Sequence, residues 1–136
     1  MALPDQDIDA IRRLVDQDAD AVRRSDWDVV ANLFTDDALR FPPHHAPVRG
    51  RAAIRAWLDT FPPIEEFAIT ADEILGCDDF AFVRGSYCIV ARPPGGGERA
   101  SDRGQYFGVV RRGADGSWRW AADMISSELP LPSPRT

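Results

Sequence analysis

Two strand-like runs, Ser101 to Arg112 and Trp118 to Ser127, flank the tight turn Gly113-Ala114-Asp115-Gly116, and this hairpin constrains the fold more than any other stretch. Side chains alternate between the two faces of a strand. Arg103, Gln105 and Phe107 are therefore expected on one face of the first run, and Ala121, Asp123 and Ile125 on one face of the second. A carboxylate standing alone on an apolar strand face is costly to bury unless it is paired or used. Asp123 is thus the first candidate for chemistry, with Arg103 across the hairpin as its expected partner.

The 136 residues, 44% of them hydrophobic, suffice for one domain with its own core and are too few for two ordinary ones. A single domain over 1–136 is expected, with 130–136, rich in proline, as a poorly ordered tail. The formal net charge of −6 and the lack of any basic run argue against nucleic acid or an anionic membrane as a partner. No apolar stretch approaches a membrane span, and Met1 to Ala10 carries acids where a secretion signal would carry basic residues, so the chain reads as cytoplasmic. All 16 basic residues are arginine, which removes a lysine Schiff base from the possible chemistry. Cys77 and Cys88 are not spaced as a redox or zinc pair, and the two histidines, His44 and His45, are adjacent. No metal site and no cofactor is expected from such a set, with carboxylate-only metal binding as the alternative. The cysteines are expected as small buried or half-buried residues.

From Asp5 to Arg24, Ile8, Ile11, Val15, Ala19 and Val22 recur at intervals of three and four, the stripe of an amphipathic helix on a core. Asp18 falls beside that stripe, whereas Asp16 and Asp20 point to solvent. Asp18 is either an interior site residue or a solvated acid at the helix boundary. Ser25 or Asp26 can cap a second helix, Trp27 to Phe34, ended by Asp36-Asp37. A short strand, Ala38 to Phe41, runs into the loop Pro42-Pro43-His44-His45-Ala46-Pro47. After Gly50 a third helix carries Ile54, Trp57, Leu58 and Phe61 on one face and stops at Pro62-Pro63. Strands follow over Phe67 to Leu75 and Phe80 to Ala91, with Pro93 to Gly97 as a hairpin loop. Helices gathered on one face of a mainly antiparallel sheet make an α+β domain, and a sheet curved around them leaves a conical cavity.

The strings "DWDVVANLFTDDALRFPP" at 26 to 43, "VRGRAAIRAWL" at 48 to 58, "DRGQYFGVVRR" at 102 to 112 and "DGSWRWAADMISSE" at 115 to 128, together with the order of elements, resemble the SnoaL-like branch of the superfamily that includes nuclear transport factor 2 and ketosteroid isomerase. The resemblance runs from about Ile8 to Glu128. It implies an NTF2-like cone of bent, mixed or antiparallel sheet wrapped around the N-terminal helices. It also implies a pocket between the first helix, the histidine loop and the concave face. Many members of this superfamily are homodimers packed through the outer sheet face, which would give Trp118 and Trp120, opposite Asp123 in parity, a buried role there.

Carried over position by position, the ketosteroid isomerase set of an aspartate base, a tyrosine and a protonated acid falls on Pro42, Asp18 and Gln105, so that set is absent. The limonene epoxide hydrolase pattern matches Arg103 and Asp123 and meets Gln105 in place of its second carboxylate. The SnoaL-type polyketide cyclases place their general base on the last strand, as Asp123 does. This resemblance implies Asp123 as general base, with Arg103 and Gln105 positioning the substrate. Asp18, His44, His45, Trp57, Phe107, Ile125 and Tyr87 are the expected ligand contacts. Tyr106, opposite Arg103 and Gln105 in parity, ranks below them.

Three function classes remain open. The first is a cofactor-independent isomerase, cyclase or dehydratase acting on a small hydrophobic, polyketide-like or polycyclic molecule. The second is a carrier that binds such a molecule unchanged. The third is an interaction module whose cavity is filled by side chains. Burial raises the pKa of Asp123 and a nearby arginine lowers it, so the balance between these effects separates a base from a structural ion pair.

Overall fold

The first helix forms where the apolar stripe lies. In the computed structural model, which describes residues 2–92 and 95–130, α1 spans Asp5–Arg23 and buries Ile11, Leu14, Val15, Ala19, Ala21 and Val22. Asp5 and Asp7 in its first turn and Arg23 in its last complement the helix dipole. Asp26 caps α2 (Trp27–Asn32) by accepting from the Val29 amide at 3.4 Å. Helix α3 (Arg51–Leu58) follows Gly50, whose φ of 90° is a conformation glycine tolerates best. The expected tail at 130–136 lies, from Leu131 on, outside the described residues, as do Pro93 and Pro94 of the expected hairpin loop.

Seven strands form one mixed sheet: β1 (Phe34–Phe41), β2 (Val48–Arg49), β3 (Ile64–Ile69), β4 (Glu73–Cys77), β5 (Phe80–Ala91), β6 (Ala100–Arg112) and β7 (Trp118–Ser127). Their order is β2-β1-β7-β6-β5-β3, and β4 pairs with β5 as well. The architecture is the expected α+β one, a curved and unclosed sheet with the helices against its concave face. Two element boundaries differ from the sequence-based expectation. The second helix stops at Asn32, because Phe34 already begins a strand that runs parallel to β7, with Phe34 opposite Trp120 and Arg40 opposite Asp123. The single run expected over Phe67 to Leu75 is broken into β3 and β4, which pair with opposite ends of β5.

The break sits at Gly85. A Cβ there would stand 2.0 Å from the Thr70 carbonyl oxygen, so only glycine lets the turn between β3 and β4 pass so close to β5. A second irregularity lies in β7, where Val109 pairs with Ala122 but Val110 pairs with Trp120, leaving Ala121 as the extra residue of a bulge. The bulge shifts side-chain parity by one. Trp118 and Trp120 before it and Asp123 after it therefore all face inward, at 6%, 3% and 9% exposure. The expected placement of the two tryptophans on the outer face is thus corrected.

Arginines strap α1 to the sheet. Arg12 donates to the Ala71 carbonyl and Arg23 to the Phe67 carbonyl. At the other end Asp7, itself buried, accepts from Arg112 at 3.2 Å and from the Trp118 indole at 3.4 Å. These contacts fix the rotation of α1 and with it the direction of Asp18. Both cysteines are exposed, against the expectation that they would be buried or half-buried.

Candidate functional site

Under the helices the concave face encloses a cavity of about 340 Å³. Its walls are largely apolar: Val22, Trp27 and Val30 from the helices, Trp57, Leu58 and Phe61 from α3 and the turn after it, and Phe67, Ile69, Ile89 and Ile125 from the sheet. Pro42, Pro43, His44 and His45 form one rim. His44 turns the chain with a φ of 57°, and His45 Nδ1–H donates to the Ala46 carbonyl while its ring lies 6.1 Å from that of Trp57.

The charged centre is built by strand register. Since Arg40 of β1 lies directly beside Asp123 of β7, their side chains enter the cavity together and form an ion pair at 3.2 Å, with side-chain exposures of 16% and 11%. The guanidinium also packs on the rings of Trp57 and Phe34, at 5.0 and 5.7 Å from their centroids. Asp18 enters from α1. It is half-buried, and its open side faces the cavity.

Burial pushes the Asp18 carboxyl up to about 7, against the opposing pull of Arg40 and with a further push from the Asp123 charge. Burial likewise raises Asp123, and Arg40 opposes it. Arg40 thus lowers both carboxyls against the effect of burial, and the charge of Asp123 adds to the rise of Asp18. Three buried polar atoms of cavity-lining residues have no hydrogen-bond partner among the described residues: Arg40 Nε, Trp120 Nε1 and Asp123 Oδ1. Such atoms are rare, and all three belong to residues of the cavity wall.

A second polar group closes the far end. Asp102 accepts from the Tyr87 phenol at 2.7 Å, from Ser127 Oγ at 2.5 Å and from the Arg103 amide at 2.9 Å. Tyr87 and Asp102 both line the cavity. Between the two ends Tyr106 points inward and donates to the Thr70 carbonyl at 2.5 Å, its phenol pKa raised by burial and then by the Asp18 charge.

Of the residues singled out in the sequence, Asp123, Asp18, His44, His45, Trp57, Ile125 and Tyr87 line this cavity. Arg103, Gln105 and Phe107 do not. They lie on the convex face of β6, where Phe107 stays 49% exposed and stacks on Phe82, and Arg103 pairs with Glu128 at 3.4 Å. The face of β6 that turns inward is that of Asp102, Gly104, Tyr106, Gly108 and Val110. The ring of Trp120 covers Gly108, where a Cβ would come within 2.5 Å of it. The expected reach from Asp123 to Arg103 or Gln105 is therefore replaced by the contact with Arg40. Sequence reasoning missed Arg40, Asp102 and the inward Tyr106. The glycines alternating with Tyr106 were the available signal, because an inner face that rings must approach is where a strand tolerates glycine.

Among the described residues no cluster of histidine, cysteine, aspartate and glutamate is placed to hold a metal ion, and no helix is long and apolar enough to cross a membrane. The family description that matches the chain is a SnoaL-like domain, over residues 11–121. No curated protein matches. Among solved structures, a ketosteroid isomerase-like protein from Erwinia carotovora atroseptica superposes with a TM-score of 0.78 at 22% identity, over 89% of this chain and 95% of that one. A provisionally assigned aromatic ring hydroxylase from Novosphingobium aromaticivorans gives 0.82 at 26%, over 96% and 94%. A provisionally assigned scytalone dehydratase from the same organism gives 0.76 at 20%, over 90% and 85%.

Proposed function

We propose that this chain, which belongs to the SnoaL-like family, performs acid–base chemistry on a small hydrophobic molecule that carries a carbonyl, in the manner of an isomerase, cyclase or dehydratase. The observation that carries this reading is the arrangement of Asp18, Arg40 and Asp123 around one end of an apolar cavity. Asp123 is the base. Its Oδ2 is held by Arg40, while Oδ1 is buried and unpartnered, an acceptor for a proton on a carbon beside the carbonyl. The negative charge that develops on the carbonyl oxygen meets the free N–H groups of Arg40 and Trp120. Asp18, close to half-protonated at neutral pH, supplies the proton that completes the reaction: to a different carbon in an isomerisation, to the oxygen of the attacked carbonyl in a ring closure, or to a departing hydroxyl in a dehydration. No separate cofactor is needed for these steps.

The names of neighbouring structures support the range of the proposal and do not narrow it, because one fold carries an isomerase-like protein and a provisional dehydratase alike. A second reading is a carrier that binds the same molecule unchanged. The Arg40–Asp123 ion pair favours it, since a carboxylate engaged by arginine is a weaker base. The proposal includes a homodimer formed through the convex sheet face, where Leu75, Phe80, Phe107 and Met124 are about half exposed.

Untargeted mass spectrometry of metabolite extracts incubated with the wild type and with Asp123→Asn separates the two. A compound consumed by the wild type and spared by Asp123→Asn is the expected result. A compound retained unchanged by both proteins selects the carrier. For the enzyme, the rate falls as pH rises above about 7, because Asp18 loses its proton there, and Asp18→Asn removes that limb of the profile.

A further inference from the structure

The two ends of the cavity differ in the hydrogen bonds they can still make. At the Asp123 end donors are free, namely Arg40 Nε and Trp120 Nε1. At the Asp102 end the side-chain donors among the described residues, Tyr87 and Ser127, are spent. The phenol proton of Tyr87 and the hydroxyl proton of Ser127 both go to the Asp102 carboxylate, and Ser127 Oγ accepts in turn from the Leu129 amide. A phenol has one proton and an ionised carboxylate has none. The lone pairs that remain on Tyr87 and on Asp102 Oδ2 can only accept.

We propose that the Tyr87–Asp102 end is a specificity subsite for a hydrogen-bond donor, a hydroxyl or an amine, at the far end of an apolar ligand whose carbonyl lies against Arg40. The placement of the carbonyl rests on the acid–base reading above. The donor requirement rests on the hydrogen bonds of Tyr87, Asp102 and Ser127 alone. Asp123 and Ser127 lie four residues apart on the same inward face of β7, about 13 Å along the strand. Ile125 stands between them, opposite Tyr106 on β6, whose phenol proton is already given to the Thr70 carbonyl, so the middle of the ligand meets hydrocarbon and a spent donor, and Ile89 and Ile69 flank the Tyr87–Asp102 end. The substrate class that fits is a hydroxy- or amino-ketone of about two fused or linked rings. A ketone, ether or methyl group at the far end covers a half-buried acceptor pair with another acceptor or with nothing that donates, which is penalised.

The test uses 4-acetyl-4′-hydroxybiphenyl, its 4′-amino analogue and its 4′-methoxy analogue, titrated against the fluorescence of Trp27, Trp57 and Trp120 on the cavity wall. The hydroxyl or the amino probe is expected to bind the wild type about tenfold tighter than the methoxy probe, the size of one hydrogen bond left unmade. Asp102→Asn introduces an amide donor in place of a carboxylate oxygen, and the preference over methoxy should fall to near one. Equal affinity of all three probes for the wild type overturns the proposal without any variant. So does a tenfold preference that survives in Asp102→Asn with unchanged thermal unfolding, and so does failure of every probe to bind. The acid–base reading fails separately, in the mass spectrometry, since a donor preference at this end requires no turnover.

Discussion

The two faces of β6 carry equally polar residues and put them to opposite uses. Arg103 and Gln105 look outward, where Arg103 makes an exposed ion pair with Glu128. Asp102 and Tyr106 look inward, where each polar side-chain atom has a named partner and is at least half-buried. Exposed pairs contribute little, because solvent screens them and side-chain freedom is lost in forming them. The same chemistry turned inward shifts ionisation, aligns hydrogen bonds and becomes expensive to leave unpaired. The difference between the faces is therefore one of dielectric and commitment, and substitutions can measure it.

The largest effect should come from Arg40→Met. The substitution keeps most of the volume packed on Trp57 and Phe34 but leaves Asp123 buried with no counter-charge. A broken buried pair typically costs about 3–5 kcal/mol. The loss should be greatest above neutral pH and shrink as pH falls, because protonation of Asp123 and Asp18 removes the uncompensated charge. Urea unfolding at pH 8 and pH 5 reads both numbers. An equal loss at the two values would show that packing, not charge, is what Arg40 contributes.

Asp18→Asn should act in the opposite direction and by less. A carboxyl raised from its ordinary 3.8 to about 7 is protonated more readily in the folded chain than in the unfolded one. Its contribution is most favourable below the unfolded value, is lost as pH rises toward 7, and stays lost above that. Replacing it with a neutral amide should therefore stabilise the protein by about 1–3 kcal/mol at pH 8 and by little at pH 4. A stabilisation of the same size at both pH values would mean that Asp18 keeps an ordinary ionisation.

The limits of reading this site from sequence are visible in the same residues. The stripe of α1 was legible, and Asp18 beside it, because helical period alone places them. Asp123 was legible as a lone acid in an apolar strand. Arg40 was not, since its meeting with Asp123 depends on a parallel pairing between strands some eighty residues apart, and no local pattern encodes such a register. On β6 alternation held, and only the choice of inward face was wrong; parity on β7 failed for a more local reason. One extra residue at Ala121 carries Trp120 and Asp123 to the same face, whereas strict alternation separates them. The small pair Ala121-Ala122 marks where a bulge is tolerated, but it does not announce one. The α+β class followed from element order and the bent sheet from the family resemblance, whereas the close approach of Thr70 to Gly85, where β3 gives way to β4, did not.

The outer face should give the smallest effects on folding and the clearest test of the comparison. Arg103→Ala removes an exposed ion pair, while the amide that donates to Asp102 belongs to the backbone and survives the substitution. Gln105→Ala removes an exposed side chain with no hydrogen bond of its own among the described contacts. Each should change unfolding free energy by no more than about 0.5 kcal/mol, and neither should alter binding of the biphenyl probes. Phe107→Glu places a charge amid Phe82 and Met124 on the convex face. It should leave the cavity intact and convert the proposed dimer to a monomer by sedimentation. Were Gln105→Ala to weaken probe binding, the inward face of β6 would be the one first expected from alternation, and the assignment of Tyr106 and Asp102 to the cavity would fall with it.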